Sequence, residues 1–416
     1  MMPCSYGEEA TNRVGNQKFK KMKRRDFVIK SGLAAAAVSS VSPGFAYINK
    51  YINSDAPVRL GVIGTGSRGS GLISVINGIK GLDVVACCDV LPFRLENGLK
   101  RAEGTPKSYS DYWKLLEDKS VDAVLVATPF GTHGSIELDA LDAGKHIYGE
   151  KTLAKGYDEV MKLADAKKEG LVFQTGHQYH SSRLYTQVVD LIKDGKVGKI
   201  TAFECQWNRS GNWRRSVPDP ELERLINWRM YREYSGGLTA ELCSHQIDFV
   251  NWVLGETPSQ VFGTGGIDYW KDGRETYDNV HHLFSYPSGV EATFTCLTTN
   301  AKDDYQIKVI GDKGTIILDY VNGWFYPEGN YNKQQTDVDG VAGATIPWEA
   351  GKGIPFEFTH TDPSKQALTD FRDAIRTGSK PISDFETGAN TAICVQMAID
   401  SMLNNKIVKW NPQHKL

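Results

Sequence analysis

No stretch of this 416-residue chain is long and apolar enough for a membrane-spanning helix; its longest apolar tract, residues 32–41, is about half the length a bilayer requires. Cysteine is sparse and unpatterned. The seven thiols (Cys4, Cys87, Cys88, Cys205, Cys243, Cys296 and Cys394) are odd in number and show no C-x-x-C spacing, which excludes a disulfide framework and a thiolate zinc site as readings. There is no H-E-x-x-H pattern, so no metal is assigned, although Glu241 with His245, His177 with His180, and the pair His281 and His282 offer ligand types. An excess of basic charge is also missing. With 48 Lys and Arg against 50 Asp and Glu, the net charge of -2 leaves no basic face for nucleic acid. No internal repeat is visible.

What is present begins with Gly64-Thr65-Gly66-Ser67-Arg68-Gly69, a G-x-G-x-x-G run behind the apolar residues 58–63. Gly64 permits a tight strand-to-helix turn, Gly66 lets backbone approach a pyrophosphate, and Gly69 lets the helix pack close to the strand, with phosphate on the helix N-terminus. A second apolar run ends in Asp89, 25 positions after Gly64. A carboxylate there accepts hydrogen bonds from the adenosine ribose and repels a 2′-phosphate, which favours NAD; Arg68 and Arg94 could offset that repulsion and keep NADP open. An ordinary turn aspartate is the bland alternative.

Apolar runs at 58–63, 84–88, 121–127, 146–149 and 172–174 alternate with helical patterns at 71–80, 93–102, 112–118, 136–143 and 157–169. This α/β alternation predicts an N-terminal doubly wound parallel sheet of the Rossmann type, its ligand at the carboxyl ends of the strands. Beyond a helical stretch ending at Lys193, strand-like runs at 200–207, 260–267, 280–286, 290–297, 305–310 and 315–318 are divided by turns such as Pro287-Ser288-Gly289. They predict a C-terminal α+β domain with a large, mainly antiparallel, meander-like open sheet. Residues 330–353 read as a surface excursion, and 363–377 and 386–404 as helices. The expected organisation is 1–46 as an N-terminal extension and leader, 57–176 as the dinucleotide-binding domain, and 177–416 as a substrate-binding and oligomerisation domain.

Lys23-Arg24-Arg25-Asp26-Phe27, followed by the apolar residues 32–41 and Gly44-Phe45-Ala46, looks like a twin-arginine export signal, with Met22 as a candidate biological start. A basic amphipathic helix is the alternative. Export implies a periplasmic or otherwise exported protein with no stable membrane insertion after signal removal. Such an enzyme has no soluble dinucleotide pool to draw on, so its cofactor must be held tightly.

After the expected fourth and fifth strands stand Thr128-Pro129-Phe130-Gly131-Thr132-His133 and Glu150-Lys151-Thr152. Here the chain closely resembles the Gfo/Idh/MocA oxidoreductases over nearly its whole length after the leader. That resemblance implies that Thr128, Pro129 and His133 lie along the cofactor, that Glu150 supports the site, and that Lys151 points at the nicotinamide and the reacting hydroxyl. Phe130 and Thr152 depart from the family's usual Asn and Pro. The resemblance also favours a homo-oligomer packed through the open face of the second sheet. Beside an oxidised nicotinamide, positive charge and burial lower a lysine pKa, so Lys151 could take a hydroxyl proton; a solvated loop lysine is the alternative.

Glu241 and His245 are four apart, hence one helical turn from each other, with Asp248 three further on. An imidazole tuned by a carboxylate suits general acid-base work, and a structural ion pair remains the other reading. Gln178, Arg209, Trp213, Trp228 and Arg229 supply the aromatic faces and donors that bind sugars, though a subunit interface enriches the same residue types. The cofactor candidates are thus Gly64, Gly66, Ser67, Arg68, Gly69, Asp89, Thr128, Pro129, His133, Glu150, Lys151 and Gln178. The substrate candidates are Lys151, Gln178, Arg209, Trp213, Trp228, Arg229 and His245, and the catalytic candidates Lys151, His245 and Glu241. The expected function is NAD-dependent oxidation of a sugar or glycoside hydroxyl, at the 3-position by family analogy. The rivals are a glycosidase working by transient oxidation and elimination, and a sugar-binding protein with a structural dinucleotide.

Overall fold

A computed structural model describes residues 56–328, 353–414 and 416. The leader expected at 1–46, with Cys4, and most of the excursion expected at 330–353 lie outside the described residues.

The first sheet is wholly parallel, built from β1 (Val58–Ile63), β2 (Leu82–Cys88), β3 (Lys107–Tyr109), β4 (Ala123–Val126), β5 (His146–Gly149) and β6 (Phe173–Thr175) in the order β3-β2-β1-β4-β5-β6. Such a sheet is covered on both faces, so its strands are near-continuous apolar runs; β4 and β5 are buried at every position. The helices between them are α1 (Ser67–Ile76), α2 (Pro92–Arg101), α3 (Tyr112–Glu117), α4 (His133–Asp142) and α5 (Tyr157–Ala166). Strand order reverses between β1 and β4, and the crevice beyond their carboxyl ends is where such sheets bind ligands. Helix α1 starts at Ser67, four residues before the periodicity predicted, because Gly66 is its N-cap and the glycine turn feeds it directly.

After α6 (Arg183–Lys193) comes a nine-stranded sheet made from β7 (Ile200–Trp207), β8 (Gln260–Gly266), β9 (Asn279–Ser285), β10 (Glu291–Leu297), β11 (Tyr305–Gly311), β12 (Gly314–Leu318), β13 (Gly323–Pro327), β14 (Ile354–Pro355) and β15 (Val408–Lys409). It is mainly antiparallel, as expected, but not a meander. β7 inserts between β10 and β11 and runs parallel to β10. Helices α7 (Ser244–Leu254), α8 (Pro363–Thr377) and α9 (Phe385–Asn404) complete the fold. Although α8 follows the second sheet in the chain, it packs on the first: Leu368 and Phe371 are fully buried in the cluster around β1 and Tyr148, and the Gln174 side-chain amide donates to the Ala367 carbonyl at 2.7 Å. The six described cysteines are free and buried, consistent with small apolar side chains. No helix among the described residues is long and apolar enough to cross a membrane.

Candidate active site

The crevice beyond β1 and β4 is one wall of a cavity of about 960 Å³, and segments of the second half of the chain form the other. All the candidate residues named from the sequence line it except Gly69, which lies beneath the turn.

The glycine turn is dictated by space. Gly64 has φ +89°, and a Cβ there would stand 2.7 Å from the Ala127 carbonyl oxygen. A Cβ on Gly69 would stand 1.9 Å from the Gly64 carbonyl oxygen. The atoms nearest the missing Cβ of Gly66 belong to the movable Arg94 side chain, at 3.8–3.9 Å, which leaves room for a ligand. No side chain caps α1 and no acid lies in its first turn, so its free N–H groups and positive dipole end suit a pyrophosphate. Asp89 is buried and braces this turn, its two carboxylate oxygens accepting from the backbone amides of Thr65 and Leu91 at 2.9 Å each. The Thr65 hydroxyl also lies 3.4 Å from Oδ2, whereas Oδ1 keeps a lone pair for a ribose hydroxyl. The residues fit a dinucleotide. Arg68 turns away from a 2′-phosphate role and pairs with Glu150 at 2.8 Å, while Arg94 stays beside Asp89.

Thr128 and Pro129 form the turn after β4. His133, buried at the start of α4, spans that turn and the next: its Nε2 lies 2.9 Å from the Thr128 carbonyl and its Nδ1 2.9 Å from that of Thr152. Thr152, where the family that the sequence resembles usually has proline, follows a cis Lys151–Thr152 peptide. Lys151 points across the cavity and donates to the carbonyls of Glu241 at 2.7 Å and Ala240 at 3.3 Å. Burial lowers its pKa, against the opposing carboxylates of Glu241 and Glu150.

Glu241 and His245 do not form the expected pair. The segment Thr239–Cys243 is a π-helical turn, not a regular α-helical one, leading into α7. Glu241 is committed to Arg229, whose Nε donates to it at 2.7 Å; burial pushes this carboxyl up, but Arg229 and Lys151 together hold it below its usual range. Asp248 pairs with His180 instead, at 2.9 Å. The His245 Nδ1 has no hydrogen-bond partner among the described residues, and its ring lies among those of Tyr179, Trp207 and His177, at centroid distances of 5.3, 5.5 and 6.2 Å. Burial, then the charge of Lys151, push this imidazole well below its ordinary pKa, so the expected carboxylate tuning is replaced by the opposite effect.

Behind the cavity-lining Trp207 and His245 lies a second layer of tyrosines. Tyr179 stacks on Tyr185 at 4.2 Å, Tyr305 on Tyr320 at 4.5 Å, and Trp207 meets both Tyr305 and Tyr320 edge-on. Arg209 lies over the rings of Trp207 and Trp213, and Arg229 over Trp228. Trp207 lines the cavity but was not among the sequence candidates, because a tryptophan in a strand carries no spacing signal; Tyr305 and Tyr320 support it from behind. Among the described residues, no three His, Cys, Asp or Glu side chains gather as a metal site.

Profiles of one family match the two halves of this architecture: the oxidoreductase family's NAD-binding Rossmann fold over residues 58–177, and its C-terminal alpha/beta domain over residues 189–410. The chain belongs to the Gfo/Idh/MocA oxidoreductase family. Its relatives include myo-inositol 2-dehydrogenase of Thermotoga maritima, 27% identical over 270 residues, which are 64% of this chain and 76% of that one. Another is 2,7-anhydro-N-acetylneuraminate hydratase of Escherichia coli, 29% identical over 265 residues, 63% of this chain and 68% of that one. Among solved structures, levoglucosan dehydrogenase in complex with NADH superposes with a TM-score of 0.69 at 20% identity, covering 85% of this chain and 99% of that chain, a likeness of fold. The first domain of this oxidoreductase is therefore NAD-binding.

Proposed function

We propose that this protein is an exported, NAD-dependent carbohydrate oxidoreductase that oxidises a ring hydroxyl of a sugar or glycoside, forming a 3-keto product while its NAD stays bound. The observation that carries this reading is the convergence of Lys151 and His245, both with lowered proton affinity, on a cavity shared by the dinucleotide turn and an aromatic wall. The inositol dehydrogenase among the relatives supports a polyhydroxylated ring as substrate. Bound NAD would supply the hydride acceptor, held by the turn at Gly64, Gly66 and Gly69, by Asp89, and by the Thr128-Pro129 turn.

The chain's own residues manage the proton. A neutral Lys151 amine or His245 imidazole takes it from the substrate hydroxyl, and the wall around both excludes water that would compete for it. Glu241 acts at one remove: neutralised by Arg229, it fixes the π-helical turn whose carbonyls hold Lys151. Trp207, Trp213 and Trp228 offer faces to the sugar ring, and Arg209 and Gln178 offer donors to its hydroxyls. The Lys23-Arg24-Arg25 run and the apolar residues after it support export. The outward pair Phe262 and Leu283, cross-strand neighbours 40% and 41% exposed, supports self-association through the open sheet.

A second reading, transient oxidation followed by elimination or hydration with no net redox change, is favoured by the likeness to the anhydro-neuraminate hydratase. Incubating the purified protein with a panel of glycosides and inositols, with NADH absorbance and product mass followed together, separates the two. Growth of NADH with loss of two hydrogens from the sugar is the expected result; a changed sugar without NADH supports the second reading, and neither signal refutes both.

A further inference from the structure

Part of the cavity roof above the glycine turn belongs to the segment 208–228, which leaves β7 and returns toward Trp228. Its Arg215 reaches across to the first domain, where Nη1 donates to the Ser67 hydroxyl at 2.7 Å. Ser67 is the first residue of α1, the helix whose uncapped N-terminus faces the cavity.

This reach is held in place by built contacts. The Arg215 amide donates to Asn227 Oδ1 at 2.7 Å, and its carbonyl accepts from Asn227 Nδ2 at 2.9 Å, so one buried side-chain amide grips the Arg215 backbone on both sides. Asn227 Nδ2 also donates to Glu223 at 2.9 Å, and Tyr231 donates to the same carboxylate. The neighbouring Arg214 is tied to Glu223 and to Asp272. Two residues before Arg214, the segment turns at Asn212 into Trp213, which adopts φ +63°, a conformation bulky residues seldom take unless their surroundings impose it. The Asn227 amide, the two carboxylates that hold its neighbours and a strained turn thus fix the backbone that carries one exposed guanidinium.

That guanidinium has no carboxylate partner within ion-pair distance among the described residues. Arg94 approaches the same opening from α2, its Nη1 3.8 Å from the position of a Cβ on Gly66. The two charges feel each other: after burial, Arg215 is among the groups that lower the Arg94 pKa, while Asp89 opposes. The opening therefore holds two arginines, an uncapped helix N-terminus and a glycine cleft, a concentration of positive potential matched to a dianionic group.

We propose that Arg215, presented by the segment 208–228 through Asn227, is a clasp that binds the pyrophosphate of the dinucleotide together with Arg94 and the N-terminus of α1, so that the second domain locks the cofactor onto the first. On binding, Arg215 exchanges a neutral hydroxyl for a phosphate oxygen. This rests on the NAD-binding domain and is independent of which sugar is oxidised.

Isothermal titration of the cofactor-stripped protein with NAD, NADP and ADP-ribose tests the clasp, with Arg215→Ala, Asn227→Ala and, as a control for lost charge alone, Lys100→Ala. A charge-assisted contact predicts that Arg215→Ala weakens NAD and ADP-ribose alike, by roughly tenfold to a hundredfold, with faster NAD release and a shallower dependence on salt. Asn227→Ala is expected to follow in the same direction, and Lys100→Ala to match the parent protein. Affinity within twofold of the parent in Arg215→Ala overturns the proposal, as does a loss confined to NADP, which would place Arg215 at a 2′-phosphate, or an equal loss in Lys100→Ala. Because calorimetry reads binding alone, an inactive protein that still shows the pattern leaves the clasp standing and the sugar reading refuted.

Discussion

His245 and Lys151 both carry depressed proton affinity, from the same first cause and with different consequences for pH. Burial disfavours each charged form; the Lys151 charge further disfavours protonation of His245, while the Glu241 and Glu150 carboxylates oppose the fall at Lys151. The imidazole starts from an ordinary value of about 6.5 and is pushed well below it, so it stays neutral through the physiological range. The ammonium starts from a far higher value and is lowered toward that range. A base acts in its neutral form, so activity in the oxidation direction falls as pH drops through each group's own pKa. The expected assignment is that the limb at higher pH belongs to Lys151 and that the His245 limb lies below an imidazole's ordinary value of about 6.5. The pH profile of Lys151→Ala, read on a residual rate roughly 10²- to 10⁴-fold lower, is expected to lack the upper limb, whereas His245→Asn keeps it. An upper limb that survives in Lys151→Ala, or vanishes in His245→Asn, exchanges the two assignments.

Among the elements, the glycine turn was the most legible because its requirement is steric and each glycine is obligatory for a separate reason. The strand-helix alternation of the first domain was legible too, since buried parallel strands are continuous apolar runs. The paths of the short strands β3, β13, β14 and β15, at or next to sheet edges, were not, because two to five residues carry no periodicity, and the parallel insertion of β7 beside β10 is set by contacts remote in sequence. The partners of Glu241 escaped for a related reason. Spacing places side chains on a helix face, but Arg229 comes from a separate turn, and the π-helical turn at Thr239–Cys243 alters the face itself. Gly69 gives the sharpest test at this scale. Its Cβ would meet backbone, not a movable side chain, so Gly69→Ala must displace α1 from β1. The expected outcome is a loss of about 1–3 kcal/mol in stability by denaturant titration, with NAD affinity reduced as the helix N-terminus moves. Unchanged stability together with unchanged NAD binding would mean that the turn has slack that the described geometry does not show.

At the scale of the whole molecule, chain order and spatial order part company at α8. This helix follows the second sheet, yet Ala367, Leu368, Phe371, Ala374 and Ile375 join the apolar cluster of β1, β2 and α1, with Phe371 edge-on to Tyr148 at 5.7 Å. The first domain therefore lacks part of its own cover until the C-terminal segment returns to it. A parallel sheet needs both faces buried, and removing α8 would uncover Tyr148 and leave the Gln174 amide without the Ala367 carbonyl. A fragment ending at residue 177 contains the complete glycine turn and every strand of the first sheet, but neither this helix nor the Arg215 side of the cavity. It is expected to melt without cooperativity and to bind NAD poorly, whereas the full chain melts as a unit and gains a few degrees on saturation with NAD, because ligand bound to the folded state alone shifts the equilibrium by mass action. Phe371→Ala in the full chain isolates the helix contact: truncating a fully buried ring costs about 3–5 kcal/mol, and here that loss should appear as weaker NAD retention as well as a lower melting temperature, since the residue lies beneath the sheet and not in the cavity. A cooperative fragment that binds NAD as tightly as the full chain would show instead that the first domain stands alone and that α8 is only an added layer.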